Sequence, residues 1–100
     1  MYVLIPMDSD DTEESKLTKL DDVKVWVQLQ IEEGRVVNTL TSTDKDSFEN
    51  FSECVVVIND NEYVWPFIEL SMMVLVAHTQ RYIEDIVEAY IFKELHDLAY

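Results

Sequence analysis

The sequence predicts one α/β domain over residues 1–100, with three layers and a mixed five-stranded sheet. Two short runs, residues 54–58 and 72–77, are wholly apolar, which is typical of strands buried on both faces. Residues 23–31 instead alternate apolar and polar side chains, as a strand with two different faces does. The C-terminal part of the chain carries apolar residues at the spacing of one face of a helix. A length of 100 residues with 48% hydrophobic content suits a single domain with its own core.

The first half of the chain predicts three strands. Residues 2–5 form an apolar run that ends at Pro6, as expected for a central strand. Residues 8–22 are rich in Asp, Glu, Ser and Thr and predict a solvated loop. The alternating strand 23–31 then reaches Gly34, whose tolerance of positive φ suits a hairpin turn into residues 36–40.

The second half predicts helices that alternate with strands. Residues 44–51 suit a short helix capped by Thr43 or Asp44, with Phe48 and Phe51 facing inward. The segment 63–70 is ambiguous, although Pro66 would suit a first helical turn. Thr79 is the expected cap of the closing helix.

That closing helix carries an apolar stripe from Ile83 to Leu98 at helical spacing. The predicted order is therefore β-β-β-α-β-α-β-α. Right-handed crossovers would then place helices over a sheet of ribonuclease-H-like topology.

The charge of the chain limits its partners. Twenty-one acidic residues against seven Lys and Arg give a formal net charge of −14. Such a surface repels nucleic acid and anionic membranes, and it favours solubility and a basic protein partner. Neither a signal peptide nor a membrane-spanning run is apparent, so we expect a cytoplasmic protein.

The sequence gives little support for catalysis. Cys54 is the single cysteine, so it forms no disulfide within the chain, and its place in an apolar strand predicts a buried, inert thiol. No Ser/His/Asp or Cys/His arrangement is readable. With one glycine in the chain, a glycine-rich phosphate loop is excluded. We therefore expect a protein that is not an enzyme.

The carboxyl ends of the predicted parallel strands give the candidate ligand site. Ligands of open α/β sheets bind beyond these strand ends, which here carry Asp8, Asn59, Asp60 and His78. Carboxylates with a histidine would suit a divalent or transition-metal ion. The alternative is that the loop carboxylates stabilise turns in solvent and that His78 is a partly buried structural residue.

The two tryptophans pose a separate question. Trp26 lies on the second face of the alternating strand, so it belongs to the core if helices cover that face and to a contact surface if they do not. The same alternatives apply to Trp65.

Four segments of the chain together match the layout of a known family. They are residues 2–8 (YVLIPMD), residues 15–36 with Ser15-Lys16 and the IEEGRV end of the hairpin, residues 52–57 (SECVVV) and residues 83–95 with IEDIVEAY and a closing Glu-Leu. In these segments the chain resembles the dinitrogenase iron–molybdenum cofactor carrier and biosynthesis family (NifX-like). The resemblance implies the family's fold. The chain departs from the family where a His-Phe-Gly-Arg motif would stand, since it has Leu-Thr-Lys-Leu at 17–20. It also has Asn-Asp-Asn-Glu at 59–62 in place of a Gly-Ile-Gly-like turn.

These departures lead to three hypotheses. The first is a small acidic, non-enzymatic binding or regulatory domain, without a cofactor, that binds a protein through its acidic loop or an edge strand. The second is a metallocluster carrier or accessory protein with atypical ligands. The third, a metal-dependent phosphoryl-transfer enzyme, is disfavoured because residues 2–5 lack a carboxylate and the net charge repels polyanions.

Overall fold

A computed structural model describes residues 1–98 of the chain. These residues form one six-stranded mixed sheet with two α-helices. The strands are β1 (Tyr2–Met7), β2 (Val25–Glu32), β3 (Arg35–Ser42), β4 (Cys54–Val57), β5 (Met73–Val76) and β6 (His96–Asp97), and the helices are α1 (Trp65–Glu69) and α2 (Ile83–Ile91). None of the helices within residues 1–98 is long and apolar enough to cross a membrane.

The strand order across the sheet is β3-β2-β1-β4-β5-β6. The β1, β4 and β5 strands are parallel neighbours, whereas β2, β3 and β6 run antiparallel to their neighbours. The β2–β3 hairpin turns through Glu33 and Gly34, with φ of 52° and 77°, the signs that a two-residue primed turn requires. The predicted hairpin glycine is confirmed.

The sheet has an apolar core on each face, and one helix covers each. On one face, Ile5, Val27 and Val56 pack with Ile86 of α2. On the other, Val55 and Val74 pack with Phe67 of α1. Each parallel strand contributes to both cores, which explains why its sequence is continuously apolar.

Residues 44–51, predicted as a helix, are irregular. The Asp44 side chain accepts a hydrogen bond from the Asp46 N–H at 2.9 Å, and the Ser47 hydroxyl donates to the Asp44 carbonyl at 2.8 Å. Such local bonds compete with helical ones, so this prediction is wrong. Phe51, expected inside, is 57% exposed, while Phe48 is half-buried.

The closing helix is also shorter than predicted. It begins after Tyr82, which replaces Thr79 as the residue preceding the first turn, and it ends at Ile91. Lys93 takes a positive φ of 59° and reverses the chain into β6. Leu95 and Leu98, on either side of β6, then pack against the two different cores, so this end of the apolar stripe is not helical. The additional strand corrects the predicted count of five.

The acidic loop, residues 8–22, is anchored at several points: the Thr18 N–H donates to the Pro6 carbonyl at 3.1 Å, and the Leu20 N–H donates to a Glu62 carboxylate oxygen at 2.9 Å. Leu17 is buried and forms an isolated bridge with Met7, and its N–H donates to the Arg81 carbonyl at 2.6 Å. The prediction of a solvated loop is therefore wrong at Ser15 and Leu17, which are both buried, and the apolar side chain of Leu17 completes the core beside α2.

Candidate protein-interaction site

The predicted ligand residues lie at the carboxyl ends of three adjacent parallel strands. Asp8 follows β1, Asn59 and Asp60 follow β4, and His78 follows β5. Asp8 Oδ1 accepts a hydrogen bond from the Lys16 N–H, and Asn59 Oδ1 accepts one from the Asn61 N–H, both at 2.8 Å. These two side chains therefore stabilise turns, while Asp60 and His78 are exposed.

His78 has a neighbour that the sequence did not suggest. His96, expected near the end of the closing helix, instead lies in β6 opposite Val76, and its ring centroid is 5.8 Å from that of His78. The pairing depends on the early end of α2, which no short-range pattern indicates. Within residues 1–98, no three His, Cys, Asp or Glu side chains lie close enough together to hold a metal ion. The ligand role of Asp8, Asn59, Asp60 and His78 remains a prediction.

Cys54 is buried at the start of β4, as its sequence context predicts. Burial is the main cause that raises the pKa of its thiol from 9.0 to about 12, and the charge of Glu53 adds to the effect. Because the thiolate is the reactive species, we expect this thiol to react slowly at neutral pH.

The two tryptophans differ in their surroundings. Trp26 is 9% exposed and packs against Phe67 at 6.1 Å between ring centroids, so it belongs to the core under α1. Trp65, at the first turn of α1, is 53% exposed and lies on the surface.

The edge strand β3 forms a long open edge of the sheet. Seven of its eight residues are exposed and the eighth is half-buried. Val36, Val37 and Leu40 are 37–49% exposed, although they are apolar. The strand contains no acidic residue and one arginine, in a chain with a net charge of −14. Residues 1–98 leave this edge exposed, and an edge of this length without lysine or proline is suited to pairing with another strand.

The register shows which backbone groups of β3 point outward. Ile31 exchanges backbone hydrogen bonds with Met1, beside β1, at 2.8 and 3.3 Å. Because these groups alternate along an antiparallel strand, Gln30 and Gln28 direct theirs toward β3. Their partners Asn38 and Leu40 face inward, and Thr39 and Thr41 direct their N–H and C=O groups away from the sheet.

One of these outward groups has a local partner. The Thr39 N–H donates to Oδ1 of Asn38 at 3.0 Å. The N–H of Thr41 has no hydrogen-bond partner within residues 1–98 and is available to a partner strand.

A groove of about 610 Å³ adjoins this edge on the α2 face. Its apolar lining comes from Leu29 of β2, Val36 of β3, and Ile83 and Val87 of α2. Glu13, Glu14 and Glu84 also line the groove, and no lysine or arginine does. An apolar floor with a negative rim favours side chains that combine an aliphatic part with a positive charge.

A second groove of about 510 Å³ lies near the start of β5, between the β2–β3 hairpin turn and the end of α2. Leu75, Tyr90 and Leu95 contribute to it. Burial, followed by the electrostatic effects of Cys54 and Glu53, raises the pKa of the Tyr90 hydroxyl.

The fold has relatives among solved structures. The crystal structure of PH0822 superposes with a TM-score of 0.74 at 22% identity, over 97% of this chain and 96% of its own. MJ0327 of Methanocaldococcus jannaschii, described as a "putative dinitrogenase", gives a TM-score of 0.74 at 18% identity for its crystal structure, over 99% of this chain and 95% of that one. Its NMR structure gives 0.76 at 19% identity, over 100% and 94%.

These similarities establish a shared α/β fold. They agree with the dinitrogenase-like layout expected from the sequence resemblance. No protein-family model and no curated protein matches the chain.

Proposed function

We propose that this chain is a small acidic binding domain, without enzymatic activity or a bound cofactor, that binds a protein partner by adding the partner's strand to β3. The observation that carries the proposal is the exposed edge of β3, where both backbone groups of Thr41 and the C=O of Thr39 point outward beside exposed apolar side chains. In strand addition, the free backbone groups supply affinity and the adjacent side chains supply specificity.

We further propose that the domain descends from a cofactor-carrier fold of ribonuclease-H-like topology. The order β3-β2-β1-β4-β5 and the dinitrogenase description of MJ0327 support this descent. The substitutions at 17–20 and 59–62 support a change of function after it.

The proposal is tested with peptides selected on the pure protein from a random library. The Thr41→Pro variant removes an outward N–H without removing a bond to β2, and proline is tolerated at an edge when its nitrogen faces solvent. Thr41→Ala is the matched control. We expect selected peptides to lose about tenfold in affinity for Thr41→Pro and to keep their affinity for Thr41→Ala, as one lost hydrogen bond predicts. Selected peptides that bind both variants equally would contradict strand addition, provided that unfolding curves show both variants folded.

The alternative function is a metallocluster carrier with atypical ligands, and the His78–His96 pair favours it. Imidazole suits iron and other transition metals. Anaerobic reconstitution followed by metal analysis tests this function. Stoichiometric iron or molybdenum that is lost in His78→Ala and His96→Ala would support a carrier, and a metal-free protein would exclude this pair as its ligands.

A further inference from the structure

We propose that the strand added to β3 is basic, with Lys or Arg at alternate positions whose side chains enter the groove between β3 and α2. This inference rests on the proposed strand addition, and it specifies the chemistry of the partner. The groove and the edge are continuous, because Val36 and Thr39 belong to both.

The direction of the side chains follows from the pleat of the sheet. Leu29 points to the α2 face, where it belongs to that core, and Thr39 is its partner across the β2–β3 ladder. A strand paired with β3 therefore places alternate side chains beside Val36 and Thr39 on the α2 face. The intervening side chains lie on the α1 face.

The lining of the groove selects the charge of those alternate side chains. A lysine or arginine stem can cover the apolar surface of Val36 and Val87 while its charged end remains in solvent near the glutamates. Glu13 and Glu14 are held at the rim because their N–H groups donate to Asp11 Oδ1 at 2.9 and 3.1 Å. Glu84 faces the groove from the first turn of α2.

A second copy of this chain is a poorer occupant. The β3 strand offers a single arginine, at one end, and two chains each carry a net charge of −14. A pair of β3 strands would therefore bring little positive charge to the two glutamate rims and would add long-range repulsion.

Three labelled ten-residue peptides test the inference by fluorescence anisotropy. The first alternates lysine with valine and threonine, the second has the same composition with its lysines contiguous, and the third replaces each lysine of the first with glutamine. We expect the first peptide to bind about tenfold more tightly than either of the others, and to weaken with added salt, as exposed ion pairs do.

Substitutions of acidic residues distinguish attraction at the groove from attraction by the net negative charge of the chain. Substituting Glu13, Glu14 and Glu84 together by glutamine should weaken the first peptide about tenfold and leave the third unchanged. The control, Asp21→Asn with Glu49→Gln and Glu69→Gln, removes the same charge from positions that do not line the groove and should have little effect. Equal weakening by both triple variants would overturn the inference, because the attraction would then be non-specific.

The remaining outcomes separate the inference from the function on which it rests. If the neutral peptide binds in a manner sensitive to Thr41→Pro and the basic one binds no better, strand addition stands and the basic partner is refuted. If no peptide shows sensitivity to Thr41→Pro, both fail. Sedimentation of the free protein as a dimer that Thr41→Pro dissociates would identify a second copy as the occupant and would also overturn the inference.

Discussion

Asn38 Oδ1 accepts a hydrogen bond from the backbone N–H of Thr39 at the open edge of the sheet, with a donor–acceptor distance of 3.0 Å. A side chain of β3 thereby occupies a backbone donor that a seventh strand, added beside β3, would otherwise use. Local side-chain bonds of this kind compete with ladder bonds, so Asn38 opposes strand addition at the position next to it.

Replacement of Asn38 tests that competition. We expect Asn38→Ala to speed hydrogen exchange at the Thr39 amide and to increase the affinity of strand peptides several-fold. The reason is that a donor previously bound within the chain becomes available, at a value of about 1 kcal/mol for a neutral hydrogen bond. Exchange measured by NMR and anisotropy with the same peptides would check both effects, and unchanged exchange at Thr39 would refute the role of Asn38.

The two tryptophans offer a matched comparison of core and surface. Trp26→Ala should lower the free energy of unfolding by roughly 3–5 kcal/mol, because it removes a large buried ring packed on Phe67. Trp65→Ala should change it by less than about 0.5 kcal/mol, as expected at the surface. Urea denaturation monitored by circular dichroism measures both, and similar losses would contradict the assigned burial.

Gln28 is a buried polar residue on which the loop before β4 depends. Its Nε2 donates to the Asn50 carbonyl at 2.7 Å and to the Ser52 hydroxyl at 2.8 Å. We expect Gln28→Ala to destabilise the protein by about 1–3 kcal/mol, since two bonds are lost and the partner groups lose their donor. Gln30, on the same face of β2, is only half-buried, so Gln30→Ala serves as the control. In urea titrations it should lower the free energy of unfolding by less than Gln28→Ala does.

The raised pKa of the Cys54 thiol leads us to expect that the free energy of unfolding falls in alkali. Its pKa is raised in the folded state from 9.0 to about 12, so the protonated thiol favours folding. This contribution is fully present below about pH 9 and is lost progressively as the pH rises toward about 12. Unfolding measured from pH 7 to 11 should show a shallower decline for Cys54→Ala than for the unchanged chain. Equal slopes would contradict the raised pKa.

The same thiol should resist alkylation. At pH 8 we expect iodoacetamide to modify Cys54 only in urea-unfolded protein, because burial both covers the sulfur and suppresses the thiolate. Mass spectrometry of native and unfolded samples checks this expectation, and rapid modification of the native protein would refute it.

The sequence by itself determined the layers of the fold, because hydrophobic period and turn chemistry are local properties. The apolar runs specified β4 and β5, the alternation specified β2, and Gly34 specified the hairpin. Burial of Cys54 followed from the same pattern.

The tertiary structure decided what the chain does with residues whose local pattern fits two structures. The apolar stripe that ends at Leu98 has the spacing of a helix. In the structure, its C-terminal end instead pairs with the edge of β5 as β6, and the N–H of the following residue, Leu98, donates to the Val74 carbonyl. That choice alone brings His96 beside His78. The glutamates of the acidic loop likewise meet Val36 and Val87 because bonds to distant residues, among them that from Leu17 to Arg81, hold the loop beside α2. Contacts between distant segments depend on how elements pack, and no local period encodes that packing.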